Sequence, residues 1–294
     1  SSDLAATDKP FGMNLFVLQT PTPDPAVVQK AMDRLAPLYA EFGLTPSVPA
    51  QWCEDFDAQF DALLAQKPPV ASFTFGILSA AQVERLHAAG SYVIGTATTV
   101  AEAKAWQDVG ADAVVASGME AGGHRGTFLG DFQASMIGTL PLVAECAETL
   151  NIPVIAAGGI MTGQSIAAAL ALGAQAAQMG TAFLACPESA IGPAYREAMA
   201  NATATDTRCT RIYSGRYARG IVNTMMEKLS AFEHDIPEYP VQNALTGALR
   251  KAAAAAGRAD YLSLWAGQGV ASTRVMPAEQ LVQKLVEELA ATTR

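Results

Sequence analysis

The sequence predicts an α/β protein on a parallel sheet, of the TIM (β/α)8 barrel class. Three observations point there. Strand-like and helix-like segments alternate with a spacing of about 20 to 25 residues, the rhythm of repeated βα units. The strand-like runs are short and nearly continuously apolar, as in strands covered on both faces. Several of them run straight into glycines, at the strand ends where parallel α/β proteins build their sites. A chain of 294 residues, half of them hydrophobic, can bury one large barrel of this kind.

The first strand reads as Phe11-Gly12-Met13-Asn14-Leu15-Phe16-Val17, with Asn14 its one polar side chain. A proline-stiffened loop follows, and Asp24-Pro25 supplies an N-cap and N1 proline for a helix through about Phe42. A second helix spans about Glu54 to Gln66. Val70 to Phe75 is the next strand, ending at Gly76, and Ser79 caps a helix through Ala89. Ser91 to Thr96 is a strand, Val100 to Val109 a helix, and Gly110-Ala111-Asp112 turns the chain into Ala113-Val114-Val115-Ala116-Ser117. Beyond Gly122-Gly123-His124, a helix near Leu140 to Leu150 leads to the strand Ile152 to Ala157. The helix Gly163 to Leu172 stops at Gly173 and returns as Ala176 to Thr181. From about Pro187 the strand signal fades, and Tyr195 to Ala200, Asn243 to Ala256 and Pro277 to Ala291 read as helices. Residues 1–186 therefore read as the (β/α) barrel and 187–294 as a mainly helical C-terminal region able to return to it. Six strands are counted, whereas a closed barrel needs eight, so either the fold is something else or two βα units, about 50 to 65 residues, are expected upstream of Ser1.

Charge narrows the partners. Nineteen basic against 28 acidic residues leave a net charge of −9 with no basic block, which argues against nucleic acid and anionic membranes. An apolar run long enough to span a bilayer is missing from the sequence. The four cysteines, Cys53, Cys146, Cys186 and Cys209, have no C-x-x-C spacing, so neither a structural zinc site nor a disulfide framework is expected, and they read as reduced, buried thiols.

The chemistry gathers at glycine-bearing strand ends. Gly122-Gly123 permits close approach of backbone to a ligand and then presents one imidazole, His124; the same tripeptide also fits a plain glycine turn. Gly158-Gly159 and Gly180-Thr181 follow consecutive strands, the pattern from which barrels build a phosphate site out of backbone N–H groups. The amides of Asn14 and Gln178 can face a heterocycle with donor and acceptor, or simply cap turns. His87 and His234 read as solvated or structural.

Together, Glu120-Ala121-Gly122-Gly123-His124-Arg125-Gly126, Ala156-Ala157-Gly158-Gly159-Ile160, Gln178-Met179-Gly180-Thr181-Ala182-Phe183-Leu184 and Phe11-Gly12-Met13-Asn14-Leu15-Phe16 resemble the nitronate monooxygenase (2-nitropropane dioxygenase) family. Ser214-Gly215-Arg216-Tyr217-Ala218-Arg219-Gly220 and Trp265-Ala266-Gly267-Gln268-Gly269 resemble its later blocks. The resemblance implies an FMN-dependent barrel that oxidises alkyl nitronates, or nitroalkanes, with O2 to a carbonyl compound and nitrite. It implies His124 as the catalytic residue beside the flavin, and flavin contacts from Asn14, Gly122, Gly123, Gly158, Gly159, Gln178, Met179, Gly180 and Thr181, with Gly159, Gly180 and Thr181 at the phosphate. Ser117 stands where the family pattern suggests a flavin-contacting glutamine. Residues 1–186 would then bind FMN and 187–294 lie on the substrate side. The expected protein is cytoplasmic, a monomer or homodimer, and needs no metal. Arg125 reads either as a holder of the nitro group or as a loop salt bridge. Tyr217, Tyr239 and Tyr261 read as core or capping residues that can also line a substrate cavity. A flavin-dependent NAD(P)H:quinone or enoyl-acyl-carrier-protein reductase, a non-catalytic flavin- or phosphate-binding barrel, and a barrel isomerase or aldolase remain the alternatives.

Overall fold

The computed structural model describes residues 9–292, so the polar start Ser1-Ser2-Asp3 lies outside the described residues. In chain order the elements are β1 (Gly12–Phe16), α1 (Pro25–Ala40), α2 (Phe56–Gln66), β2 (Val70–Thr74), α3 (Ala80–Ala88), β3 (Tyr92–Ala97), α4 (Val100–Asp108), β4 (Ala113–Ser117) and the two-residue β5 (Gly123–His124). There follow α5 (Thr139–Thr149), β6 (Val154–Ala157), α6 (Gly163–Ala171), β7 (Ala176–Gln178), α7 (Thr181–Leu184), α8 (Pro193–Ala200), β8 (Thr207–Thr210), β9 (Ala218–Ile221), α9 (Thr224–Leu229), α10 (Val241–Ala255) and α11 (Ala278–Thr292).

The six expected strands form one sheet in the order β1-β2-β3-β4-β6-β7, parallel throughout. Helices start where the sequence supplies caps. Asp24, Asp55, Ser79, Thr99 and Thr162 accept from the first-turn amides of α1, α2, α3, α4 and α6, each satisfying a donor that the helix itself cannot.

Side chains alternate across the sheet. In β2, Ala71 and Phe73 are buried while Val70, Ser72 and Thr74 are half-buried. The buried face packs on the helices through Phe73, Leu86, Trp106, Val114, Leu142, Cys146 and Ala156. Gly95 makes this packing possible, because a Cβ there would lie 2.0 Å from Trp106 Cδ2, and the indole N–H donates to Thr96 O at 3.2 Å. The expectation that β1 is covered on both faces does not hold among the described residues. Gly12, Asn14 and Phe16 are exposed on one face of β1, which is an edge strand of the sheet.

The C-terminal region differs from its mainly helical reading by two strands. β8 and β9 form an antiparallel pair that β5 extends to a three-stranded sheet in the order β5-β9-β8. Their four-residue lengths, and the arginines and glycine among them, hide the alternation that marks longer strands. A second core joins α1 to α10 through Leu35, Tyr39, Met225, Met226, Leu245 and Tyr261. α11 lies along α6, with Glu288 accepting the Gly163 N–H at 2.9 Å. Cys146 and Cys186 are buried as expected, whereas Cys53 and Cys209 are half-buried; all four are free.

Candidate active site

The loop after β4 is held from both sides. Gly122 is needed for close contact and Gly123 for its backbone angle. A Cβ on Gly122 would lie 2.5 Å from Gly267 N, and one on Gly267 would lie 2.6 Å from Glu120 O, so the two backbones touch. Gly123 has φ +77 and pairs with Arg219, while His124 pairs with Ala218. Glu120 reaches away from the loop to the start of α5. Its carboxylate accepts from Thr139 N at 2.9 Å and Thr139 Oγ1 at 2.7 Å, supplying the cap that Gly138 lacks.

His124 is half-buried in a box of rings: Trp265 at 5.3 Å, Phe75 at 5.4 Å and Tyr239 at 5.6 Å between centroids, all edge-on. Phe75 holds its place with φ +79, an uncommon backbone for a bulky side chain. The imidazole Nε2 lies 2.8 Å from Ser214 Oγ. Burial lowers the His124 pKa to about 4, and the guanidinium groups of Arg216 and Arg250 push the same way. Arg216 stacks on Phe75 at 4.3 Å and donates to Arg125 O at 2.9 Å and to Thr127 O. Arg250 donates to Thr246 Oγ1 at 3.2 Å and to Asn243 O and Oδ1 at 2.9 and 2.8 Å. Among the described residues neither guanidinium has a carboxylate within ion-pair distance, although Glu102 and Glu238 act on Arg216 from farther away.

A cleft of about 200 Å³, partly open to solvent, lies at the C-terminal ends of β2 to β7. Of the candidate residues, Ser117, Gly122, His124, Gly158, Gly159, Gln178, Met179, Gly180 and Thr181 line it together. Asn14 and Gly123 do not. Asn14 sits on β1 and accepts from Ser72 Oγ at 3.0 Å, and Gly123 is taken up in the β5 ladder. Gly158 and Gly159 have φ +115 and +69, the left-handed turn that aims backbone into the cleft. Among the described residues the N–H groups of Gly159, Gly180 and Thr181 meet no acceptor. Thr181 Oγ1 is occupied, accepting from Gly267 N at 3.0 Å.

Arg125 fits neither of its two readings. It is 2 % exposed and donates to Ser117 O, Gly118 O and Ser135 O at 2.9, 2.5 and 3.0 Å, tying the loop to the chain beneath it. His87 lies 2.9 Å from Asp112, and His234 stays exposed beside Asp235. Of the tyrosines, Tyr217 stacks on Phe132 at 3.6 Å and Tyr261 is buried in the second core, while Tyr239 faces His124.

Residue chemistry alone does not find Phe75, Ser214, Arg216, Arg250 or Trp265, and of the three tyrosines offered for a substrate cavity only Tyr239 joins them at His124. The blocks around Ser214 and Trp265 are legible only as family resemblances. Their physical task is to close over the loop: Arg125 N donates to Tyr217 O at 2.8 Å, Arg219 Nε to Met119 O at 2.9 Å and Gln268 N to Glu120 O at 2.9 Å. Among the described residues there is no cluster of three or more metal-ligating side chains, and no helix is long and apolar enough to cross a membrane.

A parallel α/β sheet with glycine loops and one ring-enclosed histidine at its strand ends defines an enzyme of the barrel type with a small-molecule site. The nitronate monooxygenase family model matches residues 4–288. Nitronate monooxygenase of Pseudomonas aeruginosa is 46% identical over 289 residues, covering 96% of this chain and 82% of that protein. The solved nitroalkane oxidase of Streptomyces ansochromogenes superposes with a TM-score of 0.90 at 42% identity, over 99% of this chain and 83% of that one. FabK from Thermotoga maritima superposes with a TM-score of 0.74 at 31% identity, over 99% and 80% of the two chains. The chain belongs to the nitronate monooxygenase family and is an oxidoreductase.

Proposed function

We propose that this enzyme binds FMN in the strand-end cleft and oxidises alkyl nitronates with O2 to a carbonyl compound and nitrite. One observation carries the reading: the acceptor-free N–H groups of Gly159, Gly180 and Thr181 line the same cleft as His124. Three backbone donors at one cleft, two of them on glycine, suit a phosphate dianion without any lysine. FMN fits this set, with Gly159, Gly180 and Thr181 at its phosphate and Ser117, Gly122, Gly158, Gln178 and Met179 along its ring and ribityl chain. When bound, FMN supplies the electron acceptance that no side chain here offers. Residues 1–186 serve as the cofactor-binding part, and 187–294 close the substrate side through Tyr239 and Trp265.

The protein's own share is position, dryness and field. Rings of Phe75, Tyr239 and Trp265 exclude water around His124. Arg216 and Arg250 make the surroundings electropositive and favour a substrate that arrives as an anion. A histidine held at about 4 is neutral at physiological pH, but as a general base it is weaker than one poised near the working pH. Both effects favour the preformed nitronate over the neutral nitroalkane, whose α-proton must first be removed.

Anaerobic titration tests the reading. Propionate 3-nitronate should bleach the flavin absorbance near about 450 nm, a property of the cofactor, and NADH should not. Bleaching by NADH alone overturns it in favour of a reductase, and colourless protein that takes up no FMN overturns the cofactor assignment.

A further inference from the structure

We propose that Ser214 is a positioning residue that holds His124 as its Nε2–H tautomer, leaving the Nδ1 lone pair as the atom that takes the α-proton of a neutral nitroalkane. The inference rests on the functional reading above and adds a residue and an atom to it.

The argument is a count of donors and acceptors. Ser214 is 1 % exposed, so its hydroxyl is satisfied by protein or not at all. It has one proton and two lone pairs. The hydroxyl proton goes to Arg216 O at 3.0 Å, and one lone pair accepts from Arg216 N at 3.3 Å. The second lone pair faces His124 Nε2 at 2.8 Å, and only an N–H on that nitrogen can use it. Turning the hydroxyl proton toward Nε2 instead would strip Arg216 O of its donor. It would also put the ring proton on Nδ1, which has no acceptor among the described residues. The first arrangement leaves one lone pair unmet, and the second leaves a carbonyl and an N–H unmet. Only the first keeps both the buried Ser214 hydroxyl and the Arg216 carbonyl paired, and the lone pair it leaves free is on a ring that lines the cleft, so the first is favoured.

Function follows from the tautomer. With Nε2–H bound to Ser214, Nδ1 is the only proton-accepting atom of the ring, on a residue that lines the cleft. In the step it serves, the α-C–H bond breaks, the proton moves to Nδ1, and the bonding pair passes into the nitro group to give the nitronate. A nitronate supplied as such skips this step. Loss of Ser214 should therefore affect the two substrate forms unequally, which a general structural defect would not do.

The experiment reads tautomer and turnover separately, on FMN-loaded enzyme. Nitrogen-15 shifts of His124, assigned by difference against His124→Asn, should give the Nε2–H signature in the wild type. Ser214→Ala should lose that preference, lower kcat on a neutral nitroalkane about tenfold or more, short of the roughly 10²-fold or greater loss expected when the base itself is removed, and leave nitronate turnover within about twofold. Ser214→Thr, which keeps the hydroxyl, should restore both. An Nδ1–H signature in the wild type, or an unchanged tautomer in Ser214→Ala, overturns the Ser214 assignment while leaving the role of His124 intact. A shifted tautomer with neutral-nitroalkane turnover unchanged overturns the base role of His124 itself.

Discussion

A single imidazole illustrates how far a residue's chemistry depends on its walls. His124 lies between three rings, and its pKa falls to about 4 because burial and the guanidinium groups of Arg216 and Arg250 disfavour its cationic form. Replacing it with Asn should cost about 10²- to 10⁴-fold in kcat/KM on neutral nitroalkanes, the range for lost proton transfer. Nitronates should lose far less, and steady-state assays on both forms check this. The same shift has a sign in stability. The unfolded chain takes up the histidine proton below about 6.5, while the folded chain resists it down to about 4. Folding is unpenalised by this group above that window and loses stability as pH falls through it. Thermal melts of wild type and His124→Gln across this range should differ in slope, and identical slopes would contradict the shift. His124 was legible from its glycine neighbours, whereas Arg125 beside it was not. Its partners are backbone carbonyls 7 to 10 residues away, which a charged side chain does not advertise in sequence.

Close contact between elements decides where glycine is indispensable. Gly122 lies against Gly267, with room for no Cβ on either. Gly122→Ala should therefore push the loop off the Trp265 block, cost about 1–3 kcal/mol as overpacking, and weaken flavin retention, read from absorbance after gel filtration. Gly95→Ala meets Trp106 at 2.0 Å on the opposite face of the sheet. It should lower stability by a similar amount with the flavin spectrum of surviving folded protein unchanged; denaturant melts and spectra separate the two. Caps and turns made the helices of eight residues or more and the six parallel strands legible within a few residues, whereas the short α7 and α9 were not. β5, β8 and β9 were not, because two- and four-residue strands carry too few positions to show a period.

Across the whole molecule, the site depends on elements far away in the chain. α11 docks on α6, Glu288 caps it, and the cluster they share includes Met161, Ala182 and Leu281. Met161 also lines the cleft. Glu288→Ala should remove that cap, leave Arg274 without its carboxylate at 3.0 Å, and cost about 0.5–2 kcal/mol. Calorimetry should show the lower midpoint, with a larger FMN-induced rise as the ligand restores order to the adjoining loops.

By itself the sequence determined the parallel α/β plan, the glycine-bearing strand ends and the lone histidine, because periodicity, capping and backbone freedom are local properties. Tertiary structure alone decided what surrounds that histidine. Phe75, Ser214, Arg216, Tyr239, Arg250 and Trp265 reach it from distant segments, and their effect on its charge and tautomer depends on distance and burial, which no local pattern encodes.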